Sequence, residues 1–205
     1  MTMRIPVILL LSAPSGAGKT TLASNLTAVA PSLKRVITCT TRAPRAGEMD
    51  GRDYHFLQEA DFSARVQRGE FLEHAMVYGR GYGTLRASVL DILDRGDDVF
   101  LVIDVQGAAS VREAAASDPR LARALVTVFL TPPSLAELEG RLRGRGTDAD
   151  AVAQRRLESA RAEAARWSEF DYLIVSGTRA EDLERLRAIY TAEALRSHRN
   201  QLTFG

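Results

Sequence analysis

The 205-residue sequence contains one cysteine, three histidines and no long apolar run. The lone Cys39 excludes an intramolecular disulfide scaffold and suits a reducing compartment, so we expect a cytoplasmic protein. The histidines, His55, His74 and His198, lack metal-ligand spacing and are expected to be structural or exposed. No stretch approaches the ~20 apolar residues of a membrane span. Because the net charge is only +1, the sequence predicts neither a membrane nor a nucleic-acid partner.

What remains is the composition of one globular domain. Hydrophobic residues make up 45% of the chain and charged residues 26%, a balance that supports a packed core. The length suits one such core rather than two. We therefore predict a single domain over residues 1–205, and the sequence specifies no oligomeric state.

Four continuous apolar runs predict strands that are buried on both faces. They cover residues 7–11, 99–103, 126–130 and 172–175. Helical patterns occur between and after them, for example at 153–167 and 183–194. Residues 5–11 could also form the centre of a signal peptide, but the glycine-rich turn and helical pattern behind them favour a strand. The alternation predicts an α/β fold, a parallel sheet flanked by helices, with ligands beyond the carboxyl ends of its strands.

Two segments interrupt this alternation. Residues 38–84 are rich in glycine, arginine and tyrosine with short apolar stretches, which predicts a small β-containing insertion that binds substrate. Residues 141–156 combine arginines with Gly144 and Gly146, so we predict a hinged lid. The core is assigned to the remaining segments, 1–37, 85–140 and 157–205.

The most specific motif follows the first predicted strand and precedes a helical pattern at 21–29. It consists of Ala13, Pro14, Ser15, Gly16, Ala17, Gly18, Lys19 and Thr20. This strand–loop–helix order predicts a nucleotide phosphate-binding loop, in which Lys19 reaches the β and γ phosphates and the Thr20 hydroxyl ligates Mg²⁺. The loop alone does not distinguish a GTPase, a motor and a kinase. Ala13 replaces the first glycine of the general pattern, which requires that this position avoid a positive φ. The alternative is a helix-initiating turn with a surface lysine.

Several stretches resemble the guanylate kinase family in the same order along the chain. They are SAPSGAGKT (12–20), TTRAPRAGE (40–48), GRDYHF (51–56), GEFLEHA (69–75), YGTLRA (82–87), IDVQGA (103–108), TPPS (131–134) and RLRGRGTD (141–148). The resemblance covers nearly the whole chain. It implies a P-loop kinase with a GMP-binding region at 38–84 and an arginine-rich lid at 141–156, which phosphorylates GMP with ATP and Mg²⁺.

In that family, the residues matching TTRAPRAGE and two later tyrosines hold the phosphate of the acceptor nucleotide. The resemblance therefore implies GMP contacts by Arg42, Arg45, Glu48, Tyr54 and Tyr82. Arginine forks match phosphate oxygens, and tyrosine hydroxyls are neutral donors that set orientation. The alternative for the two arginines is a solvated pair in an exposed loop.

The resemblance also places arginines at the ATP phosphates and the transferring group. With Lys19 and Arg42, the implied catalytic residues are Arg141, Arg145 and Arg156. A phosphate acceptor has a second pKa of about 6 and is already largely ionised, so it needs no strong general base. Positioning and charge neutralisation can then carry the transfer. The alternative for the lid arginines is an exposed basic helix.

For the acceptor base, the resemblance implies Thr38, Glu73, Thr84 and Asp104. The Glu73 carboxylate can accept hydrogen bonds from guanine N1 and N2, and Thr84 can donate one to O6. Asp104 follows a predicted strand, where ligands approach an α/β sheet. It could read the base or order Mg²⁺-bound water, and both roles stay open.

Two departures from the family pattern affect this interpretation. Val102 stands where an acidic residue is common, and Ser176 and Gly177 stand where an asparagine near the adenine is common. Three functions compete: a GMP kinase, a kinase for another phosphorylated acceptor such as a ribose phosphate, and a protein-binding module without catalysis. The base-reading residues argue against the second function. Lys19 and Thr20, together with the lid arginines, argue against the third.

Overall fold

The computed structural model describes the backbone of residues 3–77, 79–143 and 150–201 and the side chains of 4–77, 79–141 and 157–200. In chain order the strands are β1 (Met3–Arg4), β2 (Ile8–Ser12), β3 (Leu33–Arg35), β4 (Cys39–Thr40), β5 (His55–Phe56), β6 (Phe71–Val77), β7 (Arg80–Leu85), β8 (Asp98–Val102), β9 (Leu125–Thr131), β10 (Tyr172–Val175) and β11 (Asn200–Gln201). The α-helices are α1 (Lys19–Val29), α2 (Glu59–Gln67), α3 (Arg86–Asp94), α4 (Val105–Ala116), α5 (Pro119–Ala124), α6 (Leu135–Arg143), α7 (Asp150–Ala164) and α8 (Arg179–Ala194).

Five strands form a parallel sheet in the order β10-β9-β2-β8-β3. The side chains of β2 alternate between two buried clusters: Leu9 and Leu11 join one, and Ile8 and Leu10 join the other. Helices α1 and α8 cover the first face, and α3, α4 and α5 cover the second. Burial of each such side chain contributes about 1.5–3 kcal/mol. Since both faces are covered, the strand is an unbroken apolar run in the sequence.

The predicted α/β fold with its parallel sheet is confirmed. Each of the four predicted strands agrees with β2, β8, β9 or β10 to within one residue at either end. The sequence pattern missed β3 at the sheet edge, which has three residues, of which Leu33 alone is apolar. Lys34 and Arg35 are exposed or half-buried there, so the strand lacks the continuous apolar signal of its neighbours.

A second sheet, in the order β5-β4-β7-β6, lies almost entirely within the predicted insertion. Helix α2, which the sequence pattern did not predict, packs against this sheet through Phe62. The rings of Phe62 and Phe71 lie 4.7 Å apart between centroids, and Cys39 is buried beside them. Burial raises the pKa of the Cys39 thiol to about 11, which makes it a structural residue rather than a nucleophile. The division into core, GMP-binding region and lid stays a prediction.

The segments that leave the carboxyl ends of β2, β8 and β10 lie together at the carboxyl-terminal end of the parallel sheet. These segments are residues 13–18, 103–104 and 176–178. Helix α4, which begins after the second of them, also packs against β6 of the small sheet. Helix α4 thereby connects the two sheets at this end of the parallel sheet. Within the described part of the chain, no helix is both long and apolar enough to cross a lipid bilayer.

Candidate active site

The loop between β2 and α1 is a tight turn that leaves backbone N–H groups available to an anion. Gly16 and Gly18 have φ values of 89° and 96°, a conformation that glycine adopts without strain. The N–H of Ala17 donates to the Pro14 carbonyl at 3.2 Å and closes the turn. Helix α1 begins at Lys19 without a side-chain cap. Its first N–H groups and its positive dipole end therefore suit a phosphate.

Two adjoining cavities lie over this loop. The larger, of about 400 Å³, is lined by the whole motif from residue 13 to residue 20 and also by Tyr54, Tyr82 and Asp104. The smaller, of about 180 Å³, shares those three residues and extends to Thr38 and Glu73. The structure thus brings the predicted phosphate loop next to most of the predicted GMP-binding side chains.

Lys19 lies at the junction of the two cavities. Its ammonium group donates to the Ile103 carbonyl at 2.8 Å, just beyond the end of β8. Burial lowers the pKa of Lys19, and the carboxylates of Asp104, Glu163 and Glu73 oppose that shift. Three carboxyl groups therefore lie close enough to influence the charge of Lys19.

Glu73 on β6 and Thr84 on β7 are direct cross-strand partners. The Thr84 hydroxyl donates to Glu73 Oε1 at 2.6 Å, and both side chains are buried. Burial raises the pKa of Glu73 to about 7, although the hydrogen bond from Thr84 opposes the rise. The Thr84 hydroxyl therefore orients the carboxylate that is predicted to read the base. Its hydrogen bond to the guanine O6 stays a prediction.

Asp104 caps helix α4, which fixes the position of its carboxylate. Its Oδ1 accepts the N–H of Gly107 at 2.8 Å. The residue lies just past the end of β8 and lines both cavities. Nearby, Val102 is half-buried against the core and also lines the smaller cavity, so an apolar surface stands where the family often has a second carboxylate.

Arg42 is held by Glu48 rather than left free in a loop. The guanidinium forms a two-point pair with the carboxylate, with Nη1–Oε2 at 2.9 Å and Nη2–Oε1 at 3.0 Å. It also lies over the Tyr54 ring at 5.4 Å from the centroid. The hydrogen bond from Arg42 lowers the pKa of Glu48. Arg45 is exposed, and its backbone N–H donates to Glu48 at 2.7 Å, while its side chain is outside the lining of both cavities.

A third cavity, of about 640 Å³, is lined by Gly16 to Gly18 and by Arg141. The Arg141 guanidinium donates to the Ala17 carbonyl at 3.4 Å and pairs with Glu137. One predicted lid arginine thus lies against the phosphate loop. Arg145 is outside the described residues, and for Arg156 only the backbone is described.

The same cavity includes Ser176 and Gly177, the residues that replace the family's asparagine. The Ser176 hydroxyl donates to one oxygen of Asp182 at 2.7 Å, and the N–H of Gly177 donates to the other at 2.9 Å. Asp182 is buried. The serine hydroxyl is therefore engaged within the protein at the start of α8.

Comparison with known proteins identifies the family of the chain. The family model for guanylate kinase matches residues 4–193. The chain belongs to the guanylate kinase family.

Among the members of this family, the guanylate kinase of Cereibacter sphaeroides is 43% identical over 193 residues, which cover 94% of this chain and 89% of that protein. The guanylate kinase of Aromatoleum aromaticum is 46% identical over 189 residues, with 92% and 89% covered. The crystal structure of guanylate kinase from Anaplasma phagocytophilum matches with a TM-score of 0.78 at 32% identity, covering 98% of this chain and 92% of that one. The predicted family is confirmed.

Sequence reasoning missed several residues of this guanylate kinase site. Ser159 and Glu163 on α7 line the cavity of about 400 Å³ over the phosphate loop, and Arg35 lines the adjoining cavity of about 180 Å³. Gly107 leaves room for Glu73, because a Cβ at this position would lie 2.6 Å from Glu73 Oε2. Gly107 lies inside the matching stretch IDVQGA, so a signal existed for it. The two α7 residues follow an arginine-rich segment and had no comparable signal.

Proposed function

We propose that this chain transfers the γ-phosphoryl group of ATP to GMP, giving ADP and GDP. The observation that carries the proposal is the buried Glu73 carboxylate, which lines a cavity that adjoins the phosphate loop. An ionised carboxylate only accepts hydrogen bonds, so it matches the N1 and N2 donors of guanine. Adenine presents an acceptor at N1 and would leave buried polar groups unpaired.

The donor phosphates would lie along residues 13–20, where the N–H groups at the start of α1 bind phosphate oxygens. Lys19 would exchange its bond to the Ile103 carbonyl for the β and γ oxygens. Arg141 already reaches the Ala17 carbonyl of this loop, so it needs little movement to contact phosphate. These two cations would neutralise charge on the transferring group.

The residues at the junction of the cavities fit a Mg²⁺ ion that accompanies ATP. The Thr20 hydroxyl and the Asp104 carboxylate both line these cavities. In the described ranges no group of three or more His, Cys, Asp or Glu side chains could hold a metal ion. That arrangement suits Mg²⁺, which keeps several waters and is bound largely by substrate phosphates. When bound, the ion supplies charge neutralisation at the phosphate oxygens.

GMP would bind with its base at Glu73 and its phosphate near Arg42, Tyr54 and Tyr82. Glu48 and the Tyr54 ring hold the Arg42 fork in place, so less side-chain entropy is lost when phosphate binds. A phosphate oxygen of GMP then attacks the γ-phosphorus of ATP, a new P–O bond forms, and ADP leaves with the electrons of the broken bond. The roles of Thr38, Arg45, Arg145 and Arg156 in this scheme rest on the family resemblance. We further propose a cytoplasmic location, which suits the single buried thiol.

The proposal is tested by offering the purified protein ATP and Mg²⁺ with GMP, AMP, CMP or UMP in turn, while ADP formation is followed. GMP is expected to be preferred over AMP by about 10⁴ or more, because a site built to pair a polar edge rejects a mismatched one strongly. Comparable turnover with AMP, or none with GMP, would contradict the assignment. Turnover with a ribose phosphate in place of GMP would favour the related-kinase alternative.

A further inference from the structure

Glu163 is a carboxylate placed directly on the phosphate loop. Its Oε2 accepts the N–H of Ser15 at 3.0 Å, and its Oε1 accepts the hydroxyl of Ser159, one turn earlier on α7, at 3.2 Å. Ser15, Ser159 and Glu163 all line the cavity over the loop. A loop that binds anions through its backbone amides thus already has an anionic group on one of them.

The groups around Glu163 suit a phosphate as well as a carboxylate. It lies close enough to Lys19 for the two charges to interact, and Asp104 is the other carboxylate that acts on both. Burial raises the pKa of Glu163, while the Ser15 and Ser159 hydrogen bonds and the charge of Lys19 oppose the rise. The ionised form is therefore held by the contacts that the phosphates of a nucleotide would take over.

The contact also joins two elements that are far apart in sequence. Ser15 precedes α1, whereas Glu163 lies near the end of α7, a helix that begins within the predicted lid. At the start of that lid, Arg141 of α6 reaches the Ala17 carbonyl. A cation from α6 and an anion from α7 thus contact adjacent parts of the same loop.

We infer that Glu163 is a positioning residue of the donor site, whose carboxylate holds α7 on the phosphate loop in the nucleotide-free protein and leaves Ser15 when the phosphates of ATP arrive. This inference rests on the proposed function, because it takes ATP as the ligand. A carboxylate that stayed on Ser15 beside a triphosphate would place like charges together in a partly buried cavity, which costs free energy. The nucleotide-free contact therefore lowers the affinity for ATP and couples ATP binding to the position of α7.

The test is a comparison of the Kd for ATP with Mg²⁺, measured by calorimetry, in the wild-type chain and in Glu163→Gln. The amide keeps the shape and an acceptor oxygen but removes the charge that competes with phosphate. The Kd is expected to fall by about three- to tenfold, the size of one partly screened like-charge contact. Glu113→Gln, which removes one charge from an exposed position on α4, is the matched control and leaves the Kd unchanged.

A spectroscopic readout separates displacement from a merely structural role. The amide resonance of Ser15 is expected to differ between wild type and Glu163→Gln without nucleotide and to converge when ATP saturates both. A difference that persists under ATP would show that Glu163 stays on Ser15 and would overturn the inference. Should Glu163→Gln fail to fold, Ser159→Ala removes the second hydrogen bond to the carboxylate and is expected to lower the Kd by a smaller factor.

The outcomes distinguish this inference from the proposed function. If the wild-type chain binds ATP and Glu163→Gln binds it equally or more weakly, the inference is wrong and the proposed function stands. If the wild-type chain does not bind ATP, the proposed function is wrong and the inference falls with it.

Discussion

Arg42 and Glu73, two of the side chains that we assign to GMP, are each hydrogen-bonded to a neighbouring side chain. Glu48 fixes the Arg42 fork, and Thr84 fixes the Glu73 carboxylate. Both neighbouring residues were predicted as direct substrate contacts, and those contacts stay predictions. A side chain held in place loses less entropy when a ligand binds. The sequence motifs contain these residues but do not predict the hydrogen bonds between them.

Glu73→Gln is predicted to weaken the recognition of guanine. The amide replaces one acceptor by a donor, so one buried group faces guanine without a partner, at a cost of about 1–3 kcal/mol. We expect kcat/KM for GMP to fall by about ten- to a hundredfold, and the preference for GMP over AMP to fall with it. Steady-state kinetics with both nucleotides measure the ratio. An unchanged ratio in a folded variant would mean that Glu73 does not read the base.

The same substitution is predicted to change the pH dependence of stability. The pKa of Glu73 is about 7 in the folded protein against 4.5 for an ordinary glutamate, so between these values the native state holds a proton that the unfolded state has lost. Stability therefore falls as pH rises from 4.5 to about 7, by about 3 kcal/mol from this group. Glu73→Gln lacks this loss, so its free energy of unfolding minus that of wild type should be larger above pH 7 than below pH 4.5, by about 3 kcal/mol. Denaturant titrations across that range measure the difference, and a gap that is independent of pH would contradict the assignment.

The packing of helix α4 against strand β6 influences where the Glu73 carboxylate lies, the group that we propose reads the base. Gly107 lies against Glu73, because a Cβ there would lie 2.6 Å from Glu73 Oε2. Gly107→Ala is therefore predicted to displace Glu73. The KM for GMP should rise by about tenfold or more, because one buried hydrogen bond to the nucleotide would be misplaced. The KM for ATP should change little. Ser110→Ala, one turn further along α4, is the control, and equal effects of the two variants on the KM for GMP would contradict this account.

The sequence predicted the elements whose signal is local and missed those whose role arises from packing. The central strands are buried on both faces, so their apolar runs are continuous and their positions were found. Strand β3 and helix α2 lack such a signal, since Leu33 and Phe62 are the buried residues that anchor them. Glu163 could not be found from the sequence, because its contact with Ser15 joins positions 148 residues apart.

Across the whole molecule, the two ends of the parallel sheet have different tasks. The carboxyl ends of its strands hold the phosphate loop, Asp104 and Ser176. At the opposite end, Asp98 begins β8, is fully buried and accepts hydrogen bonds from Arg4, from the N–H of Val7 and from the Tyr190 hydroxyl. These contacts join β1, the residue before β2, and α8 to the start of β8. Because the two ends are separated by the length of the strands, stability and catalysis should respond to different substitutions.

Tyr190→Phe is predicted to lower stability and to leave catalysis unchanged. The Tyr190 hydroxyl lies 2.5 Å from Asp98 Oδ2 and 3.0 Å from the Ser32 hydroxyl, and burial raises its pKa to about 12. Its removal leaves a buried carboxylate with one donor fewer, at a cost of about 1–3 kcal/mol, which lowers Tm by about 2–10 °C. kcat/KM for GMP should be unaffected below the melting transition.

Lys19→Met is predicted to have the opposite effect to Tyr190→Phe, because it lowers catalysis and leaves stability intact. It removes the charge beside the transferring group, so kcat should fall by at least about a hundredfold while Tm stays at or above that of wild type, because the buried charge no longer has to be desolvated. Calorimetric melting curves and kinetics on both variants test the pair together. A loss of kcat/KM in Tyr190→Phe, or full activity in Lys19→Met, would show that the two ends of the sheet are not divided in this way.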